Sequence, residues 1–183
     1  MNAERPERPA PRVVLVGPMG AGKTTVAGLL AERWSLEMLD TDRVVEQAAG
    51  KEIGEIFVDE GEDHFRALER AAVREALESH DGVLALGGGA VLDPETRAAL
   101  RGHRVVFLSV GLSDAVKRVG LGVGRPLLLG NVRARIKALL DERRPVYTEV
   151  ATITIDTDGR DAEDVAAEVA AAVESAEREG ATR

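Results

Sequence analysis

Cysteine is absent from the 183-residue sequence. The chain therefore cannot form a disulfide framework, a thiolate nucleophile or a cysteine-based zinc site, and its three scattered histidines form no ligand cluster. Basic residues are outnumbered by acidic ones, since the chain has 24 Lys and Arg against 32 Asp and Glu, and the formal net charge is −8. This balance opposes contact with a phosphate backbone or an anionic membrane surface. We therefore expect no nucleic-acid partner and no membrane partner.

Long apolar runs are missing as well. No stretch approaches the roughly 18 apolar residues that a membrane span needs. The opening MNAERPERPAPR is charged and rich in proline, without the apolar segment of a secretion signal. We interpret residues 1–11 as a disordered leader, 12–175 as one domain and 176–183 as the frayed tail of a terminal helix. We expect a cytoplasmic protein.

Apolar, β-branched segments alternate with helical patterns along the chain. Four of them predict strands and a fifth, LEMLD, predicts a weaker one; the four are RVVLVG (12–17), GVLALGGG (82–89), RVVFLSV (104–110) and ATITID (151–156). Near-continuous apolarity within strands that alternate with helices favours a parallel sheet covered on both faces. The sequence therefore predicts an α/β doubly wound domain, whose ligands bind beyond the carboxyl ends of the strands.

A phosphate-binding loop follows the first strand. GPMGAGKTT, residues 17–25, matches the pattern G-x-x-x-x-G-K-[ST] and is followed by a helical pattern. Its glycines let successive backbone N–H groups face phosphate oxygens, and the helix adds its positive N-terminal dipole. Lys23 is then expected to reach the β and γ phosphates, and Thr24 to offer a hydroxyl to Mg²⁺. A glycine-rich turn that binds nothing is disfavoured by the flanking strand and helix.

A phosphate loop predicts a nucleotide but not a reaction. Two classes remain open from the residues alone: an enzyme that transfers the γ-phosphoryl group, and a nucleotide-gated switch. A guanine switch would need an N-K-x-D motif, which the sequence lacks. The late DTDG run, 156–159, is typical of a turn.

Several other residues have both a functional and a purely structural interpretation. Asp40 and Asp42 point the same way if LDTD is extended, or they cap the helix that follows. Gly87, Gly88 and Gly89 indicate a sharp turn or a close approach to the backbone. Two arginines are predicted to lie on helices. Arg66 is explained as a surface residue beside Glu69, and Arg143 as a residue in the last turn of a helix, where its charge would complement the helix dipole.

Six motifs in order resemble the shikimate kinase family. They are GPMGAGKTT, LDTD, FRALE, LGGGAV, GRPLL and RRPVY, and the resemblance extends from Arg12 to about Val173. It implies a three-layer fold of the nucleoside monophosphate kinase group with a five-stranded parallel sheet. It also implies a lid at about 119–130 and a helical substrate-binding region at about 42–70.

The resemblance implies transfer of the γ-phosphoryl of ATP to the 3-hydroxyl of shikimate, giving shikimate 3-phosphate and ADP in the aromatic amino acid (chorismate) pathway. ATP and Mg²⁺ are the implied cofactors, and we expect a monomer. The nearest alternative is a related kinase for another small hydroxy acid such as gluconate. A nucleotide-binding protein without catalytic activity is the second alternative.

The same resemblance implies roles for individual residues. Catalysis would depend on Lys23, Asp42 and Arg125, and the metal on Thr24 and Asp40. The substrate would contact Asp42, Arg66, Gly88, Gly89 and Arg143. The nucleotide would contact Gly20, Ala21, Gly22, Lys23, Thr24, Thr25, Arg118, Arg125 and Arg160. Ile53, Phe57 and Phe65 match apolar residues of the substrate region, although core packing explains them equally well. This chain has Ala162 where the family often has a proline beside the adenine.

Overall fold

The computed structural model describes residues 10–120 and 129–181. Five strands form one parallel sheet in the order β2-β3-β1-β4-β5: β1 (Val13–Val16), β2 (Met38–Asp40), β3 (Val83–Ala85), β4 (Val105–Ser109) and β5 (Ile153–Asp156). β1 lies at the centre, with Val14 paired to Leu84 on one side and to Val105 on the other. The predicted α/β fold with a five-stranded parallel sheet is confirmed.

Helices cover both faces of this sheet. They are α1 (Lys23–Trp34), α2 (Thr41–Ala49), α3 (Ile53–Asp59), α4 (Glu62–Ser79), α5 (Pro94–Ala99), α6 (Leu112–Gly120), α7 (Leu129–Val150) and α8 (Ala162–Ala181), with a short 3₁₀ turn at Ala90–Leu92. On one face Leu30 of α1 and Val169 of α8 pack against the strands, and on the other Val73 of α4 and Tyr147 of α7 do so. The four residues of β1 are buried because both sides of the sheet are covered.

A third apolar cluster lies beside the sheet. Val45, Ile56, Phe65 and Ala72 join α2, α3 and α4 into a small helical unit. This unit occupies the segment for which the sequence predicts a substrate-binding region. It stands over the carboxyl ends of β2 and β3, where a ligand of such a sheet would bind.

Three features differ from or fall outside the sequence expectations. Placing Arg143 in a helix's last turn was wrong, because α7 continues past Pro145 to Val150. α8 extends to Ala181, into the segment expected to fray, and Glu177 there accepts hydrogen bonds from Arg12 at 3.1 and 2.9 Å. Most of the expected lid, Arg125 included, lies outside the described residues.

Within residues 10–120 and 129–181, no helix combines the length and the apolarity needed to cross a bilayer.

Candidate active site

The loop after β1 forms the floor of the site. Gly22 precedes α1 in the left-handed region, with φ 88° and ψ 20°, which a residue with a side chain rarely adopts. This conformation lets the chain enter α1 directly at Lys23, so the N-terminus of the helix faces the loop. Since no acidic residue occupies the first turn of α1, the positive end of the dipole is available to an anion.

Lys23 is held by the loop itself. Its Nζ donates hydrogen bonds to the carbonyl oxygens of Gly17, at 2.8 Å, and Pro18, at 3.1 Å. Burial lowers the pKa of Lys23 to about 8, against the opposing effect of the Asp42 and Asp40 carboxylates. The ammonium group is therefore still mostly charged at neutral pH.

Asp40 joins the phosphate loop to the next strand. Thr24 Oγ1 donates a hydrogen bond to Asp40 Oδ2 at 2.8 Å, and Asp40 Oδ1 accepts one from the backbone N–H of Asp42 at 3.0 Å. Asp40 is therefore the N-cap of α2, as the structural interpretation expected. The hydroxyl of Thr24 and the carboxylate of Asp40 thus place two oxygen atoms side by side, and oxygen is the atom type that Mg²⁺ prefers as a ligand.

Asp42 belongs to the first turn of α2. The expectation that Asp40 and Asp42 face the same side of an extended segment was wrong, because the cap at Asp40 starts the helix one residue later. Asp42 nevertheless lines the cavity beside Lys23. Burial raises the pKa of Asp42 to about 6, with further contributions from Asp40 and Glu69, while Lys23 lowers it.

The glycine triplet follows β3 and packs against side chains of the site. A Cβ at Gly87 would overlap the Asp42 carboxylate and lie 2.8 Å from Glu69 Oε1, and a Cβ at Gly89 would overlap the Arg66 guanidinium. A Cβ at Gly88 would meet nothing closer than 3.6 Å. Both expectations for the triplet therefore hold, since the chain turns here and side chains approach its backbone closely.

Arg66 projects from α4 toward the triplet and is paired with Glu69. Arg66 donates to Glu69 Oε2 at 2.6 Å, and the Glu69 side chain is only 4% exposed. Burial raises the pKa of Glu69, an effect that Arg66 and Arg143 oppose. From the sequence, Glu69 was expected only as a surface partner of Arg66. The i, i+3 spacing predicted the pair, and nothing in the sequence indicated its burial.

Arg143 approaches the triplet from α7. One of its terminal nitrogens lies 3.6 Å from the Cβ position of Gly88. Its Nε is buried and has no hydrogen-bond partner among the described residues. Arg66 from α4 and Arg143 from α7 thus reach the same cavity. Arg66 is paired with a carboxylate, whereas the Nε of Arg143 has no acceptor among the described residues.

These groups surround one cavity of about 500 Å³. Its charged lining residues are Lys23, Arg66 and Arg143 against Asp42 and Glu69, so basic residues are in excess here although the chain as a whole is acidic. Apolar walls come from two regions, the helical unit and α7: Ile53, Phe57, Phe65, Ile136, Leu139 and Leu140. A small organic anion suits this combination of cations, backbone donors and apolar walls.

A second, smaller cavity of about 190 Å³ adjoins the phosphate loop. Ala21, Gly22 and Thr25 line it together with the two predicted nucleotide-side arginines, Arg118 and Arg160. Gly22 and Thr25 also line the larger cavity, and Gly20 lines the larger one only. The residues predicted to hold a nucleotide therefore connect the two cavities.

Both arginines of the smaller cavity have partners within the chain. Arg118 donates to the Gly20 carbonyl at 3.0 Å and to the Thr157 carbonyl at 2.6 Å. Arg160 donates to the carbonyls of Asp156, at 3.0 Å, and Asp164, at 3.2 Å. Arg118 thus ties the phosphate loop to the loop after β5.

Comparison with known proteins gives a consistent result. The shikimate kinase family model matches residues 19–174. A shikimate kinase of Salinispora arenicola is 65% identical over 162 residues, covering 88% of this chain and 97% of that protein. A shikimate kinase of Thermobifida fusca is 58% identical over 156 residues, covering 85% and 91%.

Solved structures agree with the sequence relatives. Shikimate kinase from Acinetobacter baumannii in complex with shikimate has a TM-score of 0.83 and 38% identity, covering 91% of this chain and 93% of that one. A gluconokinase from Sinorhizobium meliloti has a TM-score of 0.59 and 21% identity, covering 92% and 94%, which shows a shared fold alone.

Proposed function

The chain belongs to the shikimate kinase family and is an ATP-dependent kinase, and we propose that it transfers the γ-phosphoryl group of ATP to the 3-hydroxyl of shikimate. The products would be shikimate 3-phosphate and ADP. The observation that carries this proposal is the single cavity in which Asp42, Arg66 and Arg143 meet beside Lys23. A hydroxy acid in this cavity has cations for its carboxylate and a carboxylate for its reacting hydroxyl.

We propose that Arg66 and Arg143 bind the substrate carboxylate. A guanidinium is a planar fork that can grip two oxygens, and the buried, unpartnered Nε of Arg143 adds a donor to such an arrangement. Because Glu69 already neutralises Arg66 in part, the second arginine supplies the net positive charge. The N–H groups of Gly88 and Gly89 would donate to substrate oxygens.

Asp42 is proposed to accept the proton of the 3-hydroxyl. A carboxyl whose pKa is about 6 is mostly ionised at neutral pH, yet basic enough to take a proton as the new bond forms. The hydroxyl oxygen forms a bond to the γ-phosphorus, the bond from that phosphorus to the bridging oxygen of ADP breaks, and the hydroxyl proton ends on Asp42. ADP leaves with the bridging oxygen.

Lys23 is proposed to offset charge on the β and γ phosphates, with Arg125 as the predicted second cation. The nucleotide is proposed to lie along Gly20, Ala21, Gly22, Thr24 and Thr25, with Arg118 and Arg160 beside its base. Position favours both arginines because they line the smaller cavity next to the loop. Charge stabilisation of this kind supplies most of the catalysis in phosphoryl transfer.

Mg²⁺ is proposed to bind at Thr24 and Asp40, whose oxygens are already adjacent. The described residues contain no cluster of three or more metal-ligating side chains. A site with few protein ligands fits Mg²⁺, which commonly keeps waters and takes substrate phosphates as ligands. When bound, the ion screens charge on the phosphates. A monomeric state and a cytoplasmic location stay predictions.

The proposal is tested by measuring ADP release with Mg·ATP across a panel of hydroxy acids that includes shikimate, quinate and gluconate. We expect turnover that depends on shikimate and little turnover with gluconate. Absence of turnover with shikimate, together with turnover on another acid, would overturn the substrate assignment.

A further inference from the structure

Tyr147 is a buried side chain of α7 to which the reaction described above gives no role. It is 1% exposed and lies one helical turn after Arg143. Its ring stacks on Phe107 of β4, with ring centroids 5.1 Å apart and an interplanar angle of 28°. Packing therefore fixes the ring, and with it the position of the hydroxyl group.

The Tyr147 hydroxyl lies beside two groups that line the cavity, the Gly88 backbone and the Arg143 side chain. It donates a hydrogen bond to the carbonyl oxygen of Gly88 at 2.5 Å. The Arg143 guanidinium, one nitrogen of which lies 3.6 Å from the Cβ position of Gly88, is near enough to the Tyr147 hydroxyl to act on its pKa, which it lowers against the effect of burial. Burial raises the pKa of Tyr147 to about 12, so the hydroxyl keeps its proton and remains a donor at any physiological pH.

The bond to Gly88 has a consequence for the next backbone group. The peptide unit that joins Gly88 to Gly89 is planar and trans, so its carbonyl and its N–H point in opposite directions. Holding the Gly88 carbonyl therefore sets the direction of the Gly89 N–H. Within residues 10–120 and 129–181, the N–H groups of Gly88 and Gly89 have no acceptor, which leaves both available to a ligand.

The glycine triplet needs a side chain that holds its backbone in place. A glycine backbone visits many conformations, and three in succession would leave the turn poorly defined. The triplet is held at its start by Thr41, whose Oγ1 accepts a hydrogen bond from the Gly87 N–H at 3.1 Å. Tyr147 holds the following segment, and it does so from the same helix that carries Arg143.

We propose that Tyr147 is a positioning residue for the acceptor substrate: its hydroxyl keeps the Gly88–Gly89 peptide and the Arg143 guanidinium in one binding arrangement. This inference rests on the proposed function, because both groups are assigned there to shikimate. Tyr147 would not touch the substrate, and the nucleotide side of the site would not depend on it.

The test is Tyr147→Phe, which removes the hydroxyl and keeps the stacked ring. Loss of one hydrogen bond that orders the site should raise KM for shikimate by about fivefold or more. KM for ATP should stay within about twofold of the wild-type value, because the hydrogen bonds that hold Lys23 and Thr24 go to Gly17, Pro18 and Asp40 and not to Tyr147. Calorimetric titration with shikimate alone should show the same loss of affinity as KM.

Phe107→Leu is the matched control, since it removes the stacking partner without touching Gly88. It should lower the melting temperature while leaving KM for shikimate near the wild-type value. Unchanged KM for shikimate in Tyr147→Phe would overturn the proposal, and so would an equal rise in both KM values, which would indicate a general role in the fold. Turnover of shikimate by the wild-type protein is measured first, so that failure of the proposed function is recognised separately.

Discussion

Replacing Gly88 by alanine should separate stability from substrate binding. The new methyl group would lie 3.6 Å from an Arg143 nitrogen, 3.6 Å from the Gly17 carbonyl oxygen and 3.7 Å from the Met19 nitrogen, all ordinary van der Waals distances. Gly88 is also not among the residues with positive φ. The free protein can therefore accept the methyl group without strain.

The substitution should stabilise the free protein and weaken the binding of shikimate. Replacing glycine by alanine in a compatible conformation stabilises a protein by about 0.4–1 kcal/mol, through the unfolded state. In a chain of this size that corresponds to a melting temperature about 1–4 °C higher. If shikimate packs against the Gly88 backbone, the methyl group occupies its space, and overpacking of about 1–3 kcal/mol would weaken binding by roughly fivefold to 150-fold.

The assay pairs thermal unfolding with steady-state kinetics at varied shikimate. Gly87→Ala and Gly89→Ala are the comparison variants, because their methyl groups would overlap Asp42 and Arg66 in the free protein. Both should lose stability, whereas Gly88→Ala should not. An unchanged KM for shikimate in Gly88→Ala would refute the placement of the substrate against this backbone.

Further predictions concern the acid and metal side of the site. Asp42→Asn should lower kcat by about a hundredfold or more, since the proton acceptor is lost, while calorimetry should find ATP affinity unchanged. For the wild type, kcat/KM should fall as the pH drops below about 6, because the raised pKa of Asp42 leaves it protonated there; a flat profile down to pH 5 would contradict its role. Thr24→Ala should raise the Mg²⁺ concentration for half-maximal activity by about tenfold, and Ser in its place should restore it.

Local patterns in the sequence predicted the fold well. Four of the five strands were predicted from apolar, β-branched runs, and β2 from the weaker run LEMLD. The phosphate loop was predicted from the spacing of Gly17, Gly22 and Lys23 with a strand before it and a helix after it. The residues of each such pattern lie within a short stretch of sequence, so the pattern can be recognised without knowledge of the tertiary structure.

The contacts across the site could not be predicted in this way. Tyr147 and Gly88 are 59 residues apart and meet only because α7 packs against β4 and the 3₁₀ turn at Ala90–Leu92. The burial of Glu69 depends likewise on the glycine triplet against which it packs. The prediction for Asp42 was wrong because capping of α2 by Asp40 competes with continuation of β2. The hydrogen bond from the Asp42 N–H to the Asp40 carboxylate favours the cap.

If this site phosphorylates the 3-hydroxyl of shikimate, the product must carry its phosphate on the 3-oxygen. Phosphorus NMR of the product formed from Mg·ATP and shikimate shows where the phosphate is, since coupling to the ring proton identifies the carbon that carries it. We expect one new phosphomonoester, on the 3-oxygen, formed in equal amount with ADP. A phosphate on another oxygen, or ADP formed with inorganic phosphate alone, would contradict it.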